Sequence, residues 1–472
     1  MKWYTIIAIL SLSFSLSAQK QWSLAECINY AIEHNLTIDN AELGIQNAEI
    51  GAKLAKQSRL PSLNFNTNAG FNIGRSIDPV SNLFVTATNS FNSLNLNSGV
   101  RLFNFGAINK SIASEKHNVL SAEFNRKQTE QDIALLVTTA YLDVLFNKAN
   151  LENAQNTLAI SKAQLDQISK LVDAGSRPYN ERLDVEAQIA NDQQNIIGFE
   201  NQITLALLRL RQAMLLPQNE ELDIIVPDLN MLEELAVLDA DAIYQKALQS
   251  QHSVKAIEHA ILSAKFNEEA VSKQKLPSID GFAGINSNFS SQLKEGVGSE
   301  IIQTPGQEVL INNEPALLST FQEVPTGVRT QSYGTQLDDN LGGNVGIQIS
   351  VPIFNRFANK AAEQRAHVNT LTQELTLQQE YQAIRNDVES AVANARAAQK
   401  QLLAADRAVE AQEAAYENAR VRYDLGAGNS FDLTNAQNRL DNARNNYNQA
   451  KYDYIFRLKI IDFYLGNPLT LN

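Results

Sequence analysis

Two periodicities divide the chain. From Ile133 to Val172, apolar or small residues recur in alternating steps of four and three: Ile133, Val137, Ala140, Val144, Asn147, Leu151, Ala154, Leu158, Ser161, Leu165, Ile168 and Val172. The same spacing runs from Ile384 through Val388, Ala391, Ala395, Ala398 and Leu402 to Tyr416 and Tyr423. Heptads sustained this far predict long helices in coiled-coil packing, and the alanines and serines of the seam allow close approach. Elsewhere the period drops to two. Leu63, Phe65, Thr67, Ala69, Phe71 and Ile73 alternate with Asn64, Asn66, Asn68, Gly70, Asn72 and Gly74. Val345, Ile347, Ile349, Val351 and Ile353 alternate with Gly346, Gln348 and Ser350. Leu94, Leu96, Val100 and Leu102 mark another strand, and Ile279, Ala283 and Ile285 a weaker fourth. Each pattern predicts a strand with one apolar and one polar face.

The chain is written twice. Leu60-Pro61-Ser62 and Leu276-Pro277-Ser278 lie 216 residues apart, each after an alanine-rich helical segment. Further along, Phe103-Asn104 matches Phe354-Asn355, and Asp173-Ala174-Gly175 matches Asp424-Leu425-Gly426, at a shift of 251. The additional 35 residues enter in the polar stretch from about Ser290 to Asn340. Each half is therefore expected to run helix, strand, loop, strand, long helix, turn, helix. Helical pieces are predicted over 23–57, 106–172 and 178–215, then 239–275, 357–424 and 430–466. The halves become a first repeat (19–216), a joining segment (217–239) and a second repeat (240–466), with an enlarged loop over 290–340 and a tail over 467–472.

Strands of about ten residues are long enough to cross an outer membrane at a tilt. Four strands cannot close a barrel, and open edges are not tolerated in lipid. Chains would have to pool their strands, and three chains of four give twelve. The expected fold is an α+β membrane protein with pooled strands and long helices around a channel; as a trimer it would be a 12-stranded β-barrel, four strands per chain, continued by a long α-helical barrel.

Composition narrows the function. A net charge of −13 argues against a nucleic-acid partner. A single cysteine, Cys27, rules out an internal disulfide. Lys2, the apolar run from Ile6 to Leu16 and the small pair Ser17-Ala18 predict a signal peptide over 1–18, hence export. Leu24-Ala25-Glu26-Cys27 resembles a lipoprotein cleavage box, but Glu26 stands wrongly before the cysteine; a cysteine of a first helix is the simpler reading. No nucleophile elbow, P-loop or zinc box is present, so no catalytic or cofactor-binding residues are assigned. His252 and His259 share a helix without evident partners, and no metal site is assigned. Gly175 and Gly426 fall where long helices end, positions that favour a left-handed residue. Asp432 falls in the first turn of the next helix, where a carboxylate interacts favourably with the helix N-terminus.

Tyr423-Asp424-Leu425-Gly426, followed by Phe431-Asp432-Leu433 and Ala436, resembles the tip signature of the TolC-like outer-membrane efflux family. The duplicated order and the paired Leu-Pro-Ser strengthen the resemblance, which covers essentially the whole mature chain. It implies a homotrimer in outer-membrane lipid with a periplasmic extension, serving as the exit duct of a tripartite efflux or type I secretion system. A periplasmic adaptor and an inner-membrane transporter would dock at the tip. By the same resemblance Gly175, Gly426, Asp173 and Asp424 would contact the adaptor. Asp432 would face the lumen as a gating ring, and Glu181 would hold Tyr423. The chain departs from the family where a second aspartate is common, here Asn435, and where a tip arginine is common, here Gly428. The expected consequences are a neutral second ring and one charged contact fewer. A periplasmic coiled-coil structural or adaptor protein is the alternative, and it leaves the strands unexplained.

Overall fold

A computed structural model of the chain describes residues 21–77, 83–86, 88–227, 239–312 and 314–471. The expected signal peptide and residues 228–238 of the joining segment lie outside them. The first half runs β1 (Gln21–Trp22), α1 (Leu24–His34), α2 (Leu36–Gln57), β2 (Ser62–Asn72), β3 (Arg75–Ile77), β4 (Phe84–Thr86), β5 (Asn89–Phe103), α3 (Ala107–Asp173), α4 (Tyr179–Met214) and β6 (Asp223–Ile224). The second runs α5 (Ala240–Ser250), α6 (His252–Ser272), β7 (Ser278–Ser290), β8 (Lys294–Val297), β9 (Glu300–Ile311), β10 (Glu314–Val324), β11 (Gly327–Thr330), α7 (Tyr333–Asp339), β12 (Gly342–Ser350), α8 (Ala358–Asp424) and α9 (Ser430–Leu465).

The duplication is visible in the element bounds. Helices α3 and α8 both have 67 residues, and α4 and α9 both have 36. Both ends of each pair coincide at the shift of 251. At 1.5 Å per residue a helix of 67 residues is about 100 Å long. Where one helix was expected over 23–57 and another over 239–275, each is broken in two. The breaks fall at Asn35 and Gln251, which take extended backbone conformations and are equivalent at the shift of 216. The Asn35 side chain accepts from the Thr37 amide at 2.8 Å, a local turn that competes with the helix.

The chain forms two compact units, one from residues 51–115 and 265–368 and the other from 1–50, 116–264 and 369–472. In the first, four strands pair antiparallel in the order β12-β7-β5-β2. The two central strands come from different halves, and β2 and β12 are left as edges. Alternation puts the apolar residues of both edge strands on one face. That face is open to solvent in the single chain: Leu63 is 70% and Val345 85% exposed. The 290–340 stretch, expected as a loop, carries two nested antiparallel strand pairs and a short helix. Strands β8 and β11 pair at its base, and β9 and β10 form a long two-stranded arm.

The second unit holds the helical core. Trp22, Cys27, Val137, Tyr141, Leu145, Leu210 and Met214 form its largest buried cluster. Cys27 is completely buried and equivalent to Ile243 at the shift of 216, so the cysteine acts as a small core side chain. Residues 223–225 of the joining segment dock here as well. Strand β6 pairs parallel with β1, and Tyr141 donates its hydroxyl to the Ile225 carbonyl at 2.7 Å. In the other half Val388, Ala391, Ala395 and Ile461 pack with Ile243 and Ala247.

Candidate functional site

The tip of the helical unit is built from two equivalent turns. Helix α3 ends in a motif in which Ser176 N–H donates to the Leu171 carbonyl at 2.8 Å and Gly175 N–H to Val172 at 2.9 Å. Helix α8 ends the same way, through Ala427 to Arg422 at 2.8 Å and Gly426 to Tyr423 at 3.0 Å. These paired bonds require a left-handed residue, and Gly175 and Gly426 supply it with φ of +74° and +76°. The next helices start differently. Asn429 caps α9 by accepting from the Asp432 amide at 2.8 Å, whereas its equivalent before α4 is Pro178, with no side-chain cap.

Between the turns sits a three-residue contact. Tyr423 is 2% exposed, packed with Ile168, Val185 and Leu433, and its hydroxyl donates to Glu181 Oε2 at 2.8 Å. Burial, then the Glu181 hydrogen bond and carboxylate charge, push the Tyr423 hydroxyl far above the ordinary tyrosine range. Arg177 completes the contact. Its Nη2 donates to the Tyr423 carbonyl at 2.8 Å, its Nη1 reaches Glu181 Oε1 and the Gly428 carbonyl at 3.5 Å, and its guanidinium lies 4.4 Å from the Tyr423 ring centre. A charged side chain thus reaches the Gly428 carbonyl from the other turn. Arg177 is the residue equivalent to Gly428 at the shift of 251. A Cβ on Gly428 would stand 3.2 Å from the Tyr423 nitrogen, so the backbone there is closely approached. Sequence reasoning missed Arg177, although the repeat offset carried the signal.

The other predicted residues spread around this contact. Asp424 accepts from Gln167 Nε2 at 3.1 Å, which joins α8 to α3. Asp173 and Asp432 are exposed, and Asn435 is half-buried one turn beyond Asp432. Leu425 and Phe431, which the sequence did not single out as site residues, are exposed beside them at 79% and 73%.

Above the tip the two helical hairpins meet along a polar seam. In a single antiparallel register, Asn448 donates to Asn150 at 3.2 Å, Asn153 to Asn445 at 2.8 Å, Thr157 to Asp441 at 2.7 Å and Gln437 to Ser161 at 3.1 Å. From α4, Asp192 accepts from Ser161 at 2.6 Å and from Gln188 at 2.8 Å. Asp192 and Asp441 line a polar cavity of about 120 Å³ together with Thr157, Asn195 and Asn442. Burial, reinforced by the Asp192 charge, holds the Asp441 carboxyl above its usual range, against the Thr157 hydroxyl and Arg444. In the helical unit, His259 faces His117 at 3.1 Å between Nδ1 atoms. Among the described residues, no group of three or more His, Cys, Asp or Glu side chains is placed to hold a metal ion.

Among the described residues no helix is long and apolar enough to cross a membrane. The chain thus combines two equivalent helical hairpins with a sheet of four strands whose edges are unpaired in the single chain. The chain belongs to the outer membrane efflux protein family, whose model matches residues 27–214 and 243–467. It is 22% identical over 436 residues to outer membrane protein TolC of Vibrio cholerae serotype O1, covering 92% of this chain and 88% of that protein. It is 21% identical over 428 residues to cation efflux system protein CusC of Escherichia coli O157:H7, covering 88% and 79%. Its fold matches a crystal structure of CusC with a TM-score of 0.73, at 19% identity and 96% coverage of both chains. It also matches the outer membrane protein VceC of Vibrio cholerae with a TM-score of 0.71, at 16% identity, covering 94% of this chain and 96% of that one. Of these relatives, CusC is named for a cation efflux system and for transmembrane channel formation, and TolC and VceC are named as outer membrane proteins.

Proposed function

We propose that the chain is one third of an outer-membrane exit duct: a homotrimer whose pooled strands close a twelve-stranded barrel and whose hairpins continue it into the periplasm. The observation that carries this reading is the sheet with free edges β2 and β12 and a solvent-open apolar face. In lipid, such edges must be paired, and copies of the same chain offer the matching edges. The duct is passive. An inner-membrane transporter supplies the energy, and a periplasmic adaptor grips the tip at Gly175, Gly426, Asp173 and Asp424, with Leu425 and Phe431 as the apolar part of the contact. The 290–340 hairpins lie on the extracellular side.

The Arg177–Glu181–Tyr423 contact ties the second hairpin to the first and holds the tip closed. Three Asp432 carboxylates ring the narrow end and favour cations, while Asn435 leaves the next ring neutral. A periplasmic coiled-coil adaptor would use the helices but would leave the sheet without a role. Light scattering on detergent-solubilised protein, corrected for bound detergent, tests the proposal. A mass of three chains from the outer-membrane fraction, with conductance in planar bilayers, is the expected result. A water-soluble monomer would overturn it.

A further inference from the structure

The strands of the sheet are nearly free of charge. Across β2, β5, β7 and β12 the charged side chains are Arg101 and Asp280, which are register partners and form an ion pair with each other. The face they share is otherwise lined by amides, glycines, serines and two phenylalanines. Asn66, Asn95 and Asn286 fall in one cross-strand row, and Asn64 pairs with Asn97 in the next. The amides crowd inward over bare backbone: a Cβ on Gly284 would stand 2.6 Å from Asn344 Oδ1 and 2.9 Å from Asn97 Oδ1. The opposite face carries the apolar alternation.

We propose that Arg101 and Asp280 set the charge selectivity of the barrel, and that their pairing makes it blind to charge. This rests on the trimeric barrel above, in which the apolar face meets lipid and the amide face lines the passage. Threefold symmetry then makes a ring of three compensated pairs in an amide-lined wall. Such a wall passes neutral and zwitterionic polar solutes without electrostatic sorting and leaves discrimination by charge to other parts of the duct. Either residue alone is a latent filter. Without Arg101 the ring becomes three carboxylates, and without Asp280 three guanidiniums.

Twelve strands at a spacing of about 4.8 Å and a tilt of about 40° put these groups roughly 10 Å from the axis. Screened over a Debye length of about 10 Å at 0.1 M salt, three unpaired charges change the cation-to-anion permeability ratio about fourfold. The test is the reversal potential of the full-length channel in planar bilayers under a salt gradient. Arg101→Gln shifts selectivity towards cations, Asp280→Asn towards anions, and the double variant returns to the parent value. Charges at the tip and the mouth are common to all four proteins and drop out of the comparison. Asn97→Asp, isosteric and on the same face, gives the cation shift again should a pair-breaking variant fail to assemble. Conducting variants with unshifted reversal potentials would place this face outside the passage and overturn the inference. Absence of conductance in the parent protein would instead remove the barrel itself.

Discussion

Replacing Tyr423 by phenylalanine removes one oxygen from the tip and leaves the rest of the contact in place. The ring keeps its packing on Ile168, Val185 and Leu433, and Arg177 keeps its bond to the Tyr423 carbonyl. What is lost is the 2.8 Å hydrogen bond to Glu181. The acceptor is charged and only 8% exposed, so water does not readily take the place of the hydroxyl. A buried hydrogen bond to a charged group contributes about 1.5–3 kcal/mol. At about 1.4 kcal/mol per tenfold, the closed-to-open ratio of each chain should fall roughly 10- to 150-fold. Arg177, at 3.5 Å from the same carboxylate, places the effect towards the lower end of that range. Single-channel recording of Tyr423→Phe in planar bilayers should show a higher open probability, with trimer mass and thermal unfolding close to those of the parent. Glu181→Gln, which leaves only a neutral acceptor for the hydroxyl and removes the ion pair with Arg177, should act in the same direction, and its effect should be less than additive with Tyr423→Phe because the two share that hydrogen bond. Open probabilities equal to the parent's in a well-assembled Tyr423→Phe trimer would refute the latch.

Three further outcomes follow from the same geometry. Asp441 has a folded-state pKa above its ordinary value, so its charged form weakens the seam. That penalty is absent below the ordinary carboxylate value and grows as pH rises through the raised one. Asp441→Asn should therefore raise Tm at neutral pH and flatten its dependence on pH over that window; a Tm profile parallel to the parent's would contradict the assignment. Leu425→Asp places a charge on an exposed apolar side chain and should abolish efflux in cells at unchanged Tm and trimer yield. It is a cleaner probe of adaptor contact than Gly426, whose φ of +76° strains any replacement. Asp432→Asn should lower cation selectivity about as much as removing any ring of three exposed charges, about fourfold or more where the pore is narrower, as read from reversal potentials.

Much of the fold is legible in the sequence because it rests on local patterns. A heptad seam fixes which side of a long helix is buried whatever it packs against. Val137, Val144, Ile168, Val388 and Ala395 are accordingly all fully buried. Strand alternation fixes two faces per strand in the same way, and the repeat offset fixes the element bounds of both hairpins. Asn147 and Ser161 break the apolar seam, and the sequence gives no reason for them. The structure explains Ser161, which joins Asp192 and Gln437 in the polar seam.

Contacts between distant segments are another matter. Arg177 meets the Tyr423 carbonyl across 246 residues, and Arg101 meets Asp280 across 179. Nothing local in either segment specifies its partner. The sequence places an arginine at the repeat-equivalent of Gly428, but only the packing of one hairpin against the other brings it to the Tyr423 carbonyl. The 290–340 stretch has no core to impose a period, so its hairpins became visible only through their pairing. The sequence by itself determined the long helices, the four long strands with their faces and the twofold repeat, because these depend on the spacing of side chains along one segment. The tertiary structure decided the place of Arg177 at the tip, the polar seam and the Arg101–Asp280 pair, because each needs two segments brought within hydrogen-bonding distance.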